Sequence, residues 1–254
     1  MLEVIARSLL FASLAAVAFI PLERIFGARA ATRRNFATDI AFATLGQALT
    51  RVGALLVMGV ALAGIDAVAV ERALGSGIDS PDLRALVQLG AGLLAFELGG
   101  YAYHRLAHHA PWLWRLHRVH HSSRDMDWLA AFRQHPLEIL LMTLFQNAPL
   151  VLLGIPFGPH ATVAALLRLH TVFLHSNLRL PHGWWDELMA MPRFHQRHHA
   201  RRGAPINFAS LLPALDRAFG THSRGEAREF GVDEPMPERF GQLLLHPFAR
   251  SDDR

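Results

Sequence analysis

Three short groups of histidines carry the chemistry this sequence could do. They are His104-Arg105-Leu106-Ala107-His108-His109, His117-Arg118-Val119-His120-His121 and His195-Gln196-Arg197-His198-His199. On a helix, positions i, i+3 and i+4 share a face. His104 and His108 then point one way, as do His117 with His120 and His121, and His195 with His198 and His199. Each group is expected to offer two or three imidazoles to one point in space. A lone histidine is usually a hydrogen-bonded core or surface residue, but three such groups are not explained that way. Packed without a cation, their acceptor nitrogens stay unpaired, or protonation forces like charges together. A metal ion removes both difficulties, because a neutral imidazole gives one lone pair and keeps its other N–H for a neighbouring acceptor. Leaving out His109, the eight imidazoles that share a face in these groups exceed what one ion takes, so two ions are the natural count. Imidazole suits iron, copper, zinc and nickel alike, whereas a structural zinc site needs only four ligands.

The elements that position these groups are apolar. Of 254 residues, 52% are hydrophobic and 18% charged, against about 25% charged in soluble domains. The chain has no cysteine, which excludes disulfides, thiolate metal sites and a cysteine nucleophile. It also has no lysine; all 25 basic residues are arginine, for a net charge of +4. They fall mostly between apolar stretches, as expected for headgroup and cytoplasmic-face residues, and nucleic acid is not an expected partner. Apolar stretches run over 2–20, 40–63, 86–103, 137–155 and 161–174. They predict an all-α integral membrane bundle of about four transmembrane helices with a His-rich cytoplasmic cap. The first is expected to be a retained helix rather than a cleaved signal. The last two form a hairpin across Gly154, Pro156, Gly158 and Pro159, the second being short for a full crossing.

Arg24, Arg29, Arg33 and Arg34 follow the first stretch, while Asp66, Glu71, Asp79 and Asp82 against Arg72 follow the second. The excess of arginine places the first loop in the cytoplasm and the second outside, which delivers His104 and everything after it to the cytoplasmic face. A single domain is expected over 1–254. Residues 1–103 hold the first three transmembrane helices and 104–136 the first cytoplasmic His-rich segment. Residues 137–174 form the hairpin, and 175–254 a cap of short helices and loops. No dinucleotide fingerprint, P-loop or Gly-x-Ser-x-Gly elbow is present. A membrane zinc hydrolase would need a carboxylate beside histidine, as in His-Glu-x-x-His, and no His-Glu pair occurs. A metal transporter would carry its histidines within the spans, whereas most here follow them.

Further matches extend these groups into an ordered series. Pro111-x-Leu113-Trp114-Arg115-x-His117-x2-His120-His121-Ser122 follows His104-x3-His108. Phe132-Arg133-x-His135-Pro136-Leu137-Glu138 and His175-Ser176-Asn177 come next. Pro192-Arg193-Phe194-His195-x2-His198-His199 and Asp216-Arg217-x-Phe219-Gly220-Thr221 close it. Over 97–221 the chain resembles the fatty acid hydroxylase superfamily, in its sterol desaturase-like branch. The resemblance implies a membrane-bound, non-haem diiron oxygenase with a four-helix transmembrane core. Such an enzyme hydroxylates, or alternatively desaturates, an unactivated C–H bond of a lipid or sterol-like substrate from the bilayer. It uses O2 and electrons from a separate ferredoxin, cytochrome or reductase. Zinc is a possible substitute for the two irons. Carried over by motif, the metal ligands are His104, His108, His117, His120, His121, His175, His195, His198 and His199. A further ligand is expected at His182, with His170 competing for that place. His109 and His135 are expected beside the ligands, and His160, His222 and His246 outside the site. Glu97 and the Asn207-Phe208-Ala209 stretch depart from the residues usual there. Asp186, Glu187 and Asp216 are candidates for holding imidazole N–H groups.

Overall fold

The computed structural model describes residues 2–30, 34–53, 77–153 and 157–249. The apolar stretches fold as helices α1 (Leu2–Phe26), α2 (Phe36–Ala41), α3 (Pro81–His109), α5 (Pro136–Leu152) and α6 (Phe157–His175), and the second histidine group lies on α4 (Pro111–His121). α2 continues through a π-helical turn at Phe42–Gly46 and stays helical to residue 53. After α6 the helices are short: α7 (Trp185–Leu188), α8 (Pro192–His198), α9 (Pro213–Ala218) and α10 (Phe240–Leu245). Among the described residues there is no strand, only two isolated bridges, Gly27 with Leu178 and Ala200 with Phe230. The second apolar stretch beyond residue 53, most of the acidic loop after it and the hairpin turn at 154–156 lie outside the described residues.

Among the described residues, two helices are long and apolar enough to cross a membrane, Ile5–Phe26 and Pro81–His109. α1 runs past Pro21, where the apolar run alone suggested an end at residue 20. Its last turn is held from outside: the Glu23 carboxylate accepts the backbone N–H of Trp128 at 2.8 Å and of Asn177 at 2.9 Å. α3 begins at a favourable signal, with Pro81 in the first turn and the Ser80 hydroxyl accepting the N–H of Leu83. It ends because Pro111 drives Ala110 into extended conformation. The same proline then opens α4, so one bend turns the histidines of the two helices toward each other.

α3 lies against α5 at Gly99, where a Cβ would stand 2.1 Å from the Phe145 carbonyl oxygen. Only glycine allows that approach. Among the described residues, the largest apolar core joins α1 (Ala12, Ala15, Phe19), Ala43 and Val172 around the 3₁₀ turn Trp128–Phe132. That turn sits between α4 and α5 in sequence and is driven inward by its own apolar side chains, which fixes the backbone just before Arg133.

Candidate metal centre

Nine histidines converge in two adjoining groups. His104, His108, His117, His121 and His198 form one; His120, His175, His195 and His199 form the other. Within each group the ligand nitrogens lie within 4.8 Å of one another. This corrects the expectation that each sequence cluster serves one point. His117 and His121 enter the first group while His120, between them, enters the second; His195 and His199 enter the second while His198 enters the first. The cause is helix geometry at about 100° per residue: positions i and i+4 diverge by about 40°, but i+3 and i+4 by about 100°. Each His-x2-His-His motif therefore straddles both groups and welds them together. The His121 and His199 rings stack across the boundary at 4.3 Å.

Five of the rings are oriented through Nδ1. His104 Nδ1 donates to the Phe208 carbonyl at 2.7 Å, His198 Nδ1 to Ile206 at 2.7 Å, His175 Nδ1 to Thr171 at 2.8 Å and His120 Nδ1 to Arg133 at 3.1 Å. His117 Nδ1 is hydrogen-bonded to the Glu138 carboxylate. A carbonyl oxygen only accepts, so in these neutral rings Nδ1 carries the hydrogen and Nε2 the lone pair. The Nε2 atoms of His120 and His175 nevertheless face each other at 3.2 Å, and neither can donate. His104 Nε2 is buried without a partner. Protonation offers no escape. Burial, and after it the neighbouring imidazoles, hold His117, His121, His195 and His199 well below the ordinary histidine value; the same two causes act on His120 and His198, against a weaker upward pull from their carbonyl acceptors. A cation is what the donor set lacks, and these residues fit one per group.

Within the two groups neighbouring Nε2 atoms approach to 3.0–3.2 Å, close enough for the rings to share one ion.

Carboxylates act one step back from the rings. Glu138, fully buried on α5, fixes His117. Glu97 on α3 accepts the Ser210 hydroxyl at 2.7 Å and the Leu211 N–H at 2.9 Å. Asp216 accepts the N–H groups of Phe208 and Ala209, both at 2.8 Å, and the Thr221 hydroxyl at 2.6 Å. These two acids pin the 206–212 loop whose carbonyls orient His104 and His198. Asn207 takes a left-handed conformation (φ 56°) inside that loop. Its amide donates to the carbonyls of Phe194 and Ser223, and its oxygen accepts the N–H of Ser223. On the other side, Arg133 donates to Asp39 at 2.6 Å, holding the carbonyl that receives His120.

His182 is not brought to the cluster: its side chain is 72% exposed, 4.0 Å from Asp186. The chain leaves the metal groups at Asn177 to bridge Gly27 through Leu178, which carries residue 182 outward. His170 is half-buried on α6 and lies in neither group. His135 accepts the Leu137 N–H at 3.2 Å and contacts the Leu244 carbonyl, starting α5 rather than touching the rings. His109 is exposed and bonds Arg105. Asp186 and Glu187 pair with Arg193, Arg217 and Arg224 rather than with the clustered imidazoles. Sequence reading gave Glu138 no role, although an acid entering an apolar stretch signals a buried partner.

The family model described as fatty acid hydroxylase matches residues 89–221, just over half of the chain, and spans all nine clustered histidines together with Glu97 and Asp216. The chain belongs to the fatty acid hydroxylase family. An ornithine lipid hydroxylase of Rhizobium tropici is 30% identical over 64% of this chain and 51% of its own length. The human alkylglycerol monooxygenase is 30% identical over 58% of this chain and 33% of its own. A putative methylsterol monooxygenase of Dictyostelium discoideum is 27% identical over 51% and 48%. The chain thus spans about half of the first relative and a third of the second. No solved structure matches.

Proposed function

We propose that this protein is a membrane-embedded oxygenase in which nine imidazoles hold two iron ions and a C–H bond of a lipid is hydroxylated. The observation that carries the reading is the pair of Nε2 lone pairs, His120 and His175, facing each other inside a buried all-imidazole shell. Bound iron would supply the reductive activation of dioxygen, which zinc in the same sites would not. His104, His108, His117, His121 and His198 would hold one ion with five imidazoles and His120, His175, His195 and His199 the other with four, so the second group would leave more room for an incoming molecule. Glu138 and the carbonyls of Phe208, Ile206, Arg133 and Thr171 hold each ring in the tautomer that presents Nε2 inward. Phe208, 5.5 Å from His108 and 5.6 Å from His104, and Trp114, 5.1 Å from His108, cover the five-histidine group with apolar rings and exclude water.

Hydroxylation is favoured over desaturation because the relatives are a hydroxylase and monooxygenases by name. The apolar helices suit a lipid or sterol-like substrate drawn from the bilayer. In this reading about four helices cross the membrane and the metal sites face the cytoplasm, as the arginine-rich first loop argues. The chain carries no flavin or nicotinamide fingerprint, so electrons come from a separate ferredoxin, cytochrome or reductase. Lipid profiling of cells with and without the gene, alongside a His120→Ala variant, tests the proposal. One hydroxylated lipid is expected to vanish in both the deletion and the variant. A variant that still makes that product removes His120 from the metal shell and refutes the reading.

A further inference from the structure

α7 is built inside out. Its acids are taken up by arginines of neighbouring segments: Asp186 is bonded to Arg193, and Glu187 to Arg217 at 3.0 Å and Arg224 at 2.5 Å. Its large apolar side chains turn outward, with Trp184 59%, Trp185 54% and Leu188 60% exposed. The two indoles stack on each other at 3.5 Å. A four-residue helix has no stability of its own; the ion pairs and the bond from the Ala190 N–H to the Leu211 carbonyl hold this one in place. The arrangement thus fixes an apolar face outward, the reverse of what a water-facing turn requires.

The face is continuous with the outer surface of α3. Phe219, half exposed, stacks on Tyr101 of α3 at 5.1 Å. One and two turns further back, α3 presents Leu98 and Leu94 outward. α9, which leads into Phe219, packs beside α7. Exposed apolar side chains therefore follow one another from Leu94 and Leu98 of α3 through Phe219 to Leu188 and the tryptophans on the neighbouring α7. Indoles favour the headgroup level of a bilayer, where the ring is apolar and the N–H is wet. The arginine–carboxylate pairs ring the patch where headgroups would lie.

We propose that the 184–189 segment and Phe219 lie in the bilayer interface, anchoring the region after α6 to the membrane beside α3. The proposal rests on the reading that α3 crosses the membrane, and the test separates the two. The chain has no cysteine, so a single introduced cysteine carries a unique spin label on the full-length protein in nanodiscs. Labels go at Leu188→Cys, at Leu94→Cys on α3 and at Arg202→Cys on an exposed polar loop. Collision with oxygen, which concentrates in lipid, is compared with collision with a water-soluble nickel chelate. Leu188 and Leu94 labels are expected to favour oxygen over nickel several-fold relative to Arg202. A Leu188 label as open to nickel as Arg202, with Leu94 in lipid, overturns the interfacial placement alone. A Leu188 label reached by neither reagent means protein covers the patch and also overturns it. A Leu94 label open to nickel overturns the crossing by α3 and the placement with it. Quenching by brominated lipids gives a check on native side chains: the Trp184→Phe/Trp185→Phe variant is expected to lose the most strongly quenched part of the emission. Unchanged quenching contradicts the placement.

Discussion

Replacing Asp216 probes the support of the metal shell without touching a ligand. Its carboxylate is fully buried and accepts the N–H groups of Phe208 and Ala209 and the hydroxyl of Thr221. Asp216→Ala leaves two interior backbone N–H groups unpaired. At about 1–3 kcal/mol each, the loss is about 2–6 kcal/mol. Asp216→Asn keeps one oxygen to accept and turns an NH2 toward the remaining donor, so its loss is about half as large, about 1–3 kcal/mol. Both variants also free the Phe208 carbonyl that orients His104. Loosening a partner one step behind a ligand lowers metal affinity by about 10–100-fold, so metal affinity should fall in the order unsubstituted, Asn, Ala. Unfolding of the detergent-solubilised protein reads the stability. Competition with a metal chelator reads the affinity. An Asp216→Ala protein that melts and holds metal like the unsubstituted one would refute the coupling of this loop to the rings.

Other outcomes follow from the same geometry. Glu138→Ala strips His117 of its only Nδ1 partner and should weaken metal retention, whereas Glu138→Gln keeps an acceptor and should retain much more; chelator competition separates them. His182→Ala should leave metal content and melting temperature unchanged, because that side chain is exposed and outside both groups. Metal-free protein should lose stability as pH falls. His117, His120, His121, His195, His198 and His199 resist protonation when folded, while the unfolded chain takes up protons below about pH 6.5. At these rings the unfolded state then binds more protons, so their contribution to stability is lost as pH falls below about 6.5. A melting temperature rising between pH 7 and pH 5 would contradict that sign.

Much of this site could be read from the chain before any coordinates. The apolar runs marked α1, α3, α5 and α6, and nine of the ten proposed ligands are the ones the fold assembles. The tenth, His182, lies apart from them: it is close to His175 in sequence, but the bridge of Leu178 to Gly27 turns the chain away. The partition of His120 from His121 does not follow from their sharing a helical face, because about 100° separates i+3 from i+4. The 206–212 loop has no periodic signal. Its position depends on Glu97, which meets Ser210 across 113 residues, and such contacts leave no local trace. Pro21 argued for the end of α1, and a tertiary bond at Glu23 overrode it.

The central claim is a dinuclear imidazole site, and metal stoichiometry tests it most directly. Protein purified after iron-replete expression should carry two iron ions per chain. His121→Ala and His199→Ala, which touch different groups across the stacked boundary, should each deplete chiefly one of the two. One equivalent of zinc with no iron, or a single ion abolished equally by both substitutions, would contradict it.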